Sequence, residues 1–376
     1  MTDAPRFVRP TRVVAKVGSS SLRRPDGGLD AELAGALVDQ IAKLCREGID
    51  VVLVSSGAVA AGLAPLGFER RPVDLPGLQA AASVGQGILV HTYQERFAGH
   101  GIACGQVLLT PQDVVDRVRY LNARHTFDRL LGLGAVPVVN ENDTVATDEL
   151  RFGDNDRLAA LVASMLNAQL LVLLSDVDGL YPLAPEGAGA GIAPLERVDD
   201  FRELDPQIVG PSGSEVGSGG MASKLEAARI ATFSGAHAVI ANARRPDVLV
   251  DAAAGAPLGT WFPPSRRRPE SRKLWIAFAP MPQGRIFVDE GAVRALTQRG
   301  SSLLAAGITD VQGEFVAGDA VDVVGPDHVV VARGLTTYAA TDVRQIRGRS
   351  TEALAAEFDV SYTREVIHRD QLVVVV

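Results

Sequence analysis

Short apolar runs that stop abruptly in polar or small residues, and then give way to helical spacing, recur from residue 13 to residue 241. Val13–Val17, Val51–Val54, Gln106–Leu109, Ala135–Val139, Leu170–Leu174 and His237–Ala241 have the length and composition of buried strands. Between them the apolar period changes to that of a helix. Asp30 to Glu47 carries Leu33, Leu37, Ile41 and Leu44 on one face and ends at Gly48, a C-terminal cap. Ala58–Leu63, Leu78–Phe97, Asn122–Leu131 and Leu225–Phe233 are further helices; Gly85-Gln86-Gly87 inside one of them predicts close packing against a neighbour or a ligand. Strands buried on both faces and alternating with helices predict an α/β fold, a parallel-rich sheet sandwiched by helices.

From Gly284 the pattern shifts to short strands at Arg285–Val288, Gly307–Val311, Ala320–Val324 and Val329–Leu335, with one helix at Gly291–Arg299 and a closing strand in Val366–Val376. This predicts a small mostly-β domain. Trp261–Lys273, rich in proline and arginine, reads as a linker or domain edge. The expected organisation is a first domain over residues 1–262, a linker over 263–283 and a second domain over 284–376.

Composition narrows the function classes. The chain has 376 residues, 47% hydrophobic and 22% charged, with a formal charge of −8, which argues against a general nucleic-acid-binding surface. Cys45 and Cys104 match no metal or redox spacing and suit a reducing compartment. Met1–Arg12 lacks the apolar core of a signal peptide, and no apolar run reaches the roughly 18 residues of a membrane helix, so a cytoplasmic protein is expected.

The chemistry concentrates at strand ends. Ala135–Val139 stops in Asn140, Glu141, Asn142 and Asp143; Gly153, Asp154, Asn155 and Asp156 then precede a helix. In open α/β sheets ligands bind at that rim. Capping of the helix accounts for Asp154 or Asn155 but not for both clusters. Lys16, inside the first strand, demands an anion unless it faces solvent, and Gly18 lets a phosphate approach the backbone. Ser55-Ser56-Gly57 presents hydroxyls and N–H groups, and Lys224 closes a glycine-rich loop at a helix N-terminus. There is no P-loop, no Gly-x-Gly-x-x-Gly after the first strand and no zinc-ligand spacing. Two lysines, a helix dipole and glycine-lined backbone suit phosphoryl transfer to a small acceptor. Asp143, Asp154 and Asp156 could order the lysines, hold magnesium or bind a substrate ammonium.

A specific resemblance runs in order along nearly the whole chain. Its segments are Val14-Ala-Lys-Val-Gly-Ser19, Val54-Ser-Ser-Gly-Ala-Val-Ala60, Ala81-Ala-Ser-Val-Gly-Gln86, Leu121-Asn-Ala-Arg124 and Val138-Val-Asn-Glu-Asn-Asp-Thr-Val-Ala146. Gly153-Asp-Asn-Asp156, Ser175-Asp-Val-Asp-Gly-Leu-Tyr181 and Gly217-Ser-Gly-Gly-Met-Ala-Ser-Lys224 continue it. Val288-Asp-Glu-Gly-Ala292 and Arg299-Gly-Ser-Ser-Leu-Leu304 mark a PUA-like domain. These segments resemble the glutamate 5-kinases of the amino-acid kinase superfamily. The Asn-Glu-Asn-Asp and Gly-Asp-Asn-Asp substrate loops (Asn140–Asp143 and Gly153–Asp156) separate them from sister kinases for aspartate, acetylglutamate or UMP.

The resemblance implies ATP-dependent phosphorylation of the glutamate side-chain carboxylate to glutamyl 5-phosphate, for proline synthesis. It implies that Lys16 and Lys224 stabilise the moving phosphoryl group and that Asp156 holds them. Ser56, Asp143 and Asn155 are expected to bind glutamate, with Asp143 on its ammonium. Lys16, Ser175, Asp176 and the run Ser218, Gly219, Gly220, Met221, Ala222, Ser223 and Lys224 are expected to contact ATP, with Mg2+ bridging the phosphates. Inhibition by proline and a homodimer or homotetramer are implied as well. Ser175 stands where threonine is usual, which keeps the hydroxyl, and Ser20 likewise replaces the more usual residue.

RNA binding is the competing reading, because PUA domains are best known from RNA-modifying proteins. Pro280–Val376 holds nine arginines, no lysines and thirteen acidic residues, a net charge of −4 that opposes it.

Overall fold

The computed structural model describes residues 6–24, 28–145, 155–182, 193–204, 220–265, 282–358 and 360–375. The chain divides into two units, Met1–Arg268 and Pro269–Val376.

The first unit is built on seven strands: β1 (Arg12–Val17), β2 (Asp50–Ser55), β3 (Cys104–Leu109), β4 (Val136–Glu141), β5 (Leu170–Ser175), β6 (His237–Asn242) and β7 (Thr260–Phe262), in the order β3-β4-β2-β1-β5-β6-β7. Every pairing is parallel except β6–β7. The helices are α1 (Ala31–Arg46), α2 (Ala58–Leu63), α3 (Leu75–Ala98), α4 (Pro111–Val115), α5 (Arg117–Gly132), α6 (Asn155–Met165), α7 (Met221–Phe233) and α8 (Val248–Ala253). The apolar runs become strands because both of their faces are covered: β4 and β5 are buried at every position. Val13, Ala15 and Val17 join Leu37, Ile41, Leu89, Tyr93, Leu249 and Ala253 in one core. Side chains alternate across a strand, so Val14 and Lys16 look to the other face, where α6 packs on β1 and α7 packs on α6.

Strand order decides what the site contains. The chain leaves β1 for β2, sets β3 and β4 beyond it, and then crosses to the other flank of β1 to make β5. The crossover helix is α6, so its N-terminus is carried over the carboxyl ends of β4, β2 and β1. This reversal of strand order beside β1 is the kind of crevice in which doubly wound sheets hold ligands.

Of the glycines inside α3, Gly85 serves close packing against a neighbouring helix, whereas a Cβ on Gly87 would meet nothing within 4 Å. A Cβ on Gly85 would sit 1.8 Å from the Ala58 carbonyl oxygen, and one on Gly62 would sit 1.9 Å from that of Ala81, so the backbones of α2 and α3 touch. Gly85→Ala is therefore expected to cost about 3 kcal/mol or more. Thermal unfolding checks this, and an unchanged Tm would contradict it.

The second unit pairs five strands in the order β12-β11-β10-β8-β9: β8 (Gly284–Val288), β9 (Ile308–Gly313), β10 (Ala320–Val324), β11 (Val330–Leu335) and β12 (Leu372–Val374). Its core holds Ile286, Leu296, Val321, Val323, Val343 and Ile367. It has three helices among the described residues where the sequence reading has one: α9 (Glu290–Arg299), α10 (Ala340–Ile346) and α11 (Thr351–Glu357). The last two are seven residues each, too short for a period to stand out. The closing strand is also shorter than read, because Arg369–Gln371 forms a 3-10 turn before β12. Trp261 and Phe262, the last part of the expected first domain, lie in edge strand β7. Of the expected linker, residues 266–281 lie outside the described residues. No helix among the described residues is long and apolar enough to cross a membrane.

Candidate active site

Lys16 lies one residue from the end of the central strand, paired across to Val54 of β2 and Leu173 of β5, and is 2% exposed. The alternative of a lysine facing solvent is thereby excluded. Its ammonium meets Asp156, with Nζ 2.5 Å from Oδ1. Asp156 stands in the first turn of α6 and is wholly buried. Its other oxygen takes two donors from α7, the Lys224 Nζ at 3.2 Å and the Ser223 Oγ at 2.7 Å. One carboxylate thus gathers two ammonium groups from different elements. Burial pushes the Asp156 carboxyl up, but the charges of Lys16 and Lys224, with hydrogen bonds from Lys16 and Ser223, outweigh it and hold the pKa below the ordinary carboxylate value.

Asn155, the residue before, turns to the other side. Its amide nitrogen lies 2.9 Å from the Ser56 Oγ, 2.9 Å from the Asn140 Oδ1 and 3.3 Å from the Ser55 carbonyl oxygen. It ties the ends of β2 and β4 together, which is a larger task than capping its own helix. Asn140 Oδ1 also accepts the N–H of Glu141 at 2.9 Å. The Asn155 Oδ1 and the Asn140 Nδ2 are buried and, among the described residues, have no hydrogen-bond partner, one an acceptor and one a donor. Buried polar atoms without partners are uncommon in native proteins, and they mark these two amides as ready for a polar ligand.

Asp143 follows β4 in a 3-10 turn, Asp143–Val145, and is 8% exposed. Burial raises its pKa from 3.8 to about 6, and the charge of Arg71 offsets part of that rise. A buried carboxylate with a raised pKa is suited to a cationic partner, because an incoming ammonium stabilises its charged form.

On the far side of β1, Ser175 ends β5, and its hydroxyl donates to Asp176 Oδ1 at 3.1 Å. Ser175 is buried and Asp176 is exposed. Gly220 caps α7 without a side-chain hydrogen bond, and Met221, Ala222 and Ser223 form the first turn with Lys224 behind them. First-turn N–H groups and the dipole of a 13-residue helix favour an anion. Ser218 and Gly219, and with them Asp154, lie outside the described residues.

Among the described residues no three His, Cys, Asp or Glu side chains are grouped to hold a metal ion. Asp156 is already shared between two lysines. Magnesium fits this donor set as an ion carried by nucleotide phosphates, its usual mode. The thiols of Cys45 and Cys104 are half-buried, and burial pushes both up to about 11, away from the range of a nucleophile.

The structure thus joins Lys16, Lys224 and Asp156 in one cluster, and Ser56 with Asn155 in a second. Asp143 stands just beyond the end of β4 and Ser175 at that of β5. Sequence reasoning placed Asn140 in the polar run but did not foresee its bond to Asn155, and it took Ser223 as a nucleotide contact without foreseeing its bond to Asp156.

The amino acid kinase family matches residues 11–242, and the PUA domain matches residues 284–358. A glutamate 5-kinase from Salinispora arenicola is 53% identical over 369 residues, covering 98% of this chain and 99% of that protein. One from Cutibacterium acnes is 54% identical over 96% of this chain and 91% of its own length. One from Streptomyces coelicolor is 52% identical over 96% of each. Among solved structures, a UMP kinase from Bacillus anthracis is similar over 68% of this chain and 97% of its own, at 14% identity and a TM-score of 0.47.

Proposed function

Because this chain belongs to the amino acid kinase family, in the company of the glutamate 5-kinases and with a PUA domain behind the kinase unit, we propose that it transfers the γ-phosphoryl group of ATP to the side-chain carboxylate of glutamate. The observation that carries this reading is the single carboxylate of Asp156 holding Lys16 and Lys224 beside the Ser56–Asn155–Asn140 cluster.

The chemistry asks for little more than this. A glutamate side chain is ionised at neutral pH, so its oxygen attacks the γ-phosphorus without a general base. The new O–P bond forms as the bond to the β-phosphate oxygen breaks, and ADP leaves. Charge builds on the equatorial and leaving oxygens, and the ammonium groups of Lys16 and Lys224 neutralise it. Asp156 fixes where those ammoniums stand. Magnesium, carried by the phosphates, supplies further neutralisation. Asp143 takes the substrate ammonium, and Ser56 and Asn155 orient the acceptor. The Asn155 Oδ1 and Asn140 Nδ2, without a hydrogen-bond partner among the described residues, complete that recognition. Ser175, Asp176 and the segment from Ser218 to Lys224 receive the nucleotide.

On the same reading the product is glutamyl 5-phosphate, proline is the expected feedback inhibitor, the chain assembles as a homodimer or homotetramer, and it works in the cytoplasm, where ATP and glutamate are plentiful. Among the described residues of the second unit, six arginines, Arg294, Arg333, Arg344, Arg347, Arg349 and Arg369, already stand beside carboxylates of the same unit, which opposes RNA binding there.

An acceptor panel tests the substrate. With ATP and magnesium, ADP release is expected to be fastest with glutamate; a higher kcat/KM with aspartate, acetylglutamate or UMP would contradict the proposal.

A further inference from the structure

Tyr93 lies on α3, wholly buried among Val17, Leu37, Leu53 and Leu89, on the face of the sheet opposite Lys16. A hydroxyl in such a core needs a partner, and this one lies 2.8 Å from the Ser55 Oγ. The Ser55 hydroxyl also stands 3.1 Å from the Ser56 carbonyl oxygen, to which it can only donate. A serine hydroxyl has one proton, so Tyr93 is the donor toward Ser55. Two hydrogen bonds then run in series, from the Tyr93 hydroxyl to Ser55 Oγ and from the Ser55 hydroxyl to the Ser56 carbonyl.

That carbonyl belongs to the peptide joining Ser56 to Gly57, and Gly57 turns the chain into α2 at a φ of +108°. A peptide beside a left-handed glycine has freedom to rotate that other residues lack. The tyrosine–serine series fixes it from behind. In front of the same two residues stands Asn155, bonded to the Ser55 carbonyl and the Ser56 hydroxyl. Seven residues earlier on α3, Gln86 donates to the Glu141 carbonyl at 3.3 Å, which steadies the end of β4 in the same manner.

We propose that Tyr93 is a positioning residue for the acceptor substrate: through Ser55 it fixes the Ser56 backbone, and so the Ser56–Asn155 pair that receives glutamate. Tyr93 touches no reactant; it acts through the strand end. The inference rests on the substrate reading above and assigns to α3 a part in acceptor binding that its burial alone does not suggest.

The test is steady-state kinetics on the full-length chain with Tyr93→Phe, Ser55→Ala and the double variant, varying glutamate and ATP in turn. Each single variant is expected to raise the KM for glutamate about 5- to 10-fold, the worth of one buried hydrogen bond, with the KM for ATP changed less than about twofold. The double variant is expected to be no worse than the poorer single one, because both remove the same contact. A wild-type KM for glutamate in Tyr93→Phe would overturn the proposal, as would an equal rise for both substrates, or a double variant whose effect is the product of the singles. If Tyr93→Phe is insoluble, Ser55→Ala alone reads the same split between glutamate and ATP. An active wild type with an unaffected Tyr93→Phe overturns this inference alone; a wild type that does not turn over glutamate overturns the substrate reading and this inference with it.

Discussion

Lys224→Ala is expected to lower kcat about 100- to 1,000-fold, the usual cost of removing one group that meets developing charge in a transition state. The fold is expected to survive. Truncating Lys224 leaves Asp156 with Lys16 at 2.5 Å and the Ser223 hydroxyl at 2.7 Å, so the buried carboxylate keeps a charged partner. Asp156→Ala is the opposite case. It removes the group on which two ammoniums converge, both on residues no more than 6% exposed. Removing one member of a buried charge cluster typically costs about 3–5 kcal/mol, so this variant is expected to lose stability together with turnover. Measuring kcat and thermal unfolding on both variants separates the roles. A near-normal kcat in Lys224→Ala would contradict its place in the chemistry, and a normal Tm in Asp156→Ala would contradict the cluster as drawn.

Asp143→Asn is expected to raise the KM for glutamate about 30-fold or more while leaving the KM for ATP nearly unchanged, because it removes the charge opposite the substrate ammonium. The wild type carries a matching pH signature. As pH falls through about 6, Asp143 takes up a proton and loses its attraction for an ammonium, so the KM for glutamate rises, and Asp143→Asn does not show that rise. Stability moves the other way. The carboxyl titrates near 6 in the fold against 3.8 ordinarily, so between those values the folded chain holds the extra proton and its stability falls as pH increases. Above that window the penalty is constant, of order 2–3 kcal/mol from about two pKa units. Asp143→Asn should therefore melt several degrees higher than wild type at about pH 8 and no higher at about pH 4. Equal rises in both KM values would make Asp143 a general structural residue, and a lower Tm at about pH 8 would contradict its buried, strained charge.

The sequence shows the parts of this site more readily than their meeting. Lys16 in an apolar run, the Asn140–Asp143 stop and the Asn155–Asp156 helix start are visible because a buried strand tolerates few polar residues and a strand end accumulates them. Their convergence depends on strand order. Lys16 and Asp156 meet because α6 crosses to the other flank of β1, and no residue pattern within α6 announces that crossing. Tyr93 is hidden for a similar reason: an aromatic residue on a buried helix face reads as core, and its hydroxyl's partner lies 38 residues away. Edge strand β7 escapes because its three residues run into Pro263 and Pro264, which pull the reading toward a linker. Gly85 is legible as a close approach but not as an approach of α2, since a glycine in a helix says that something comes near without saying which element does.

The most direct measurement is acyl-phosphate trapping: the wild-type chain with ATP, magnesium, glutamate and hydroxylamine, following ADP and hydroxamate together. Formation of γ-glutamyl hydroxamate in step with ADP, lost in Lys224→Ala, is the expected result. ADP released without hydroxamate, or hydroxamate formed equally well by Lys224→Ala, would contradict phosphoryl transfer to the glutamate carboxylate by this pair of lysines.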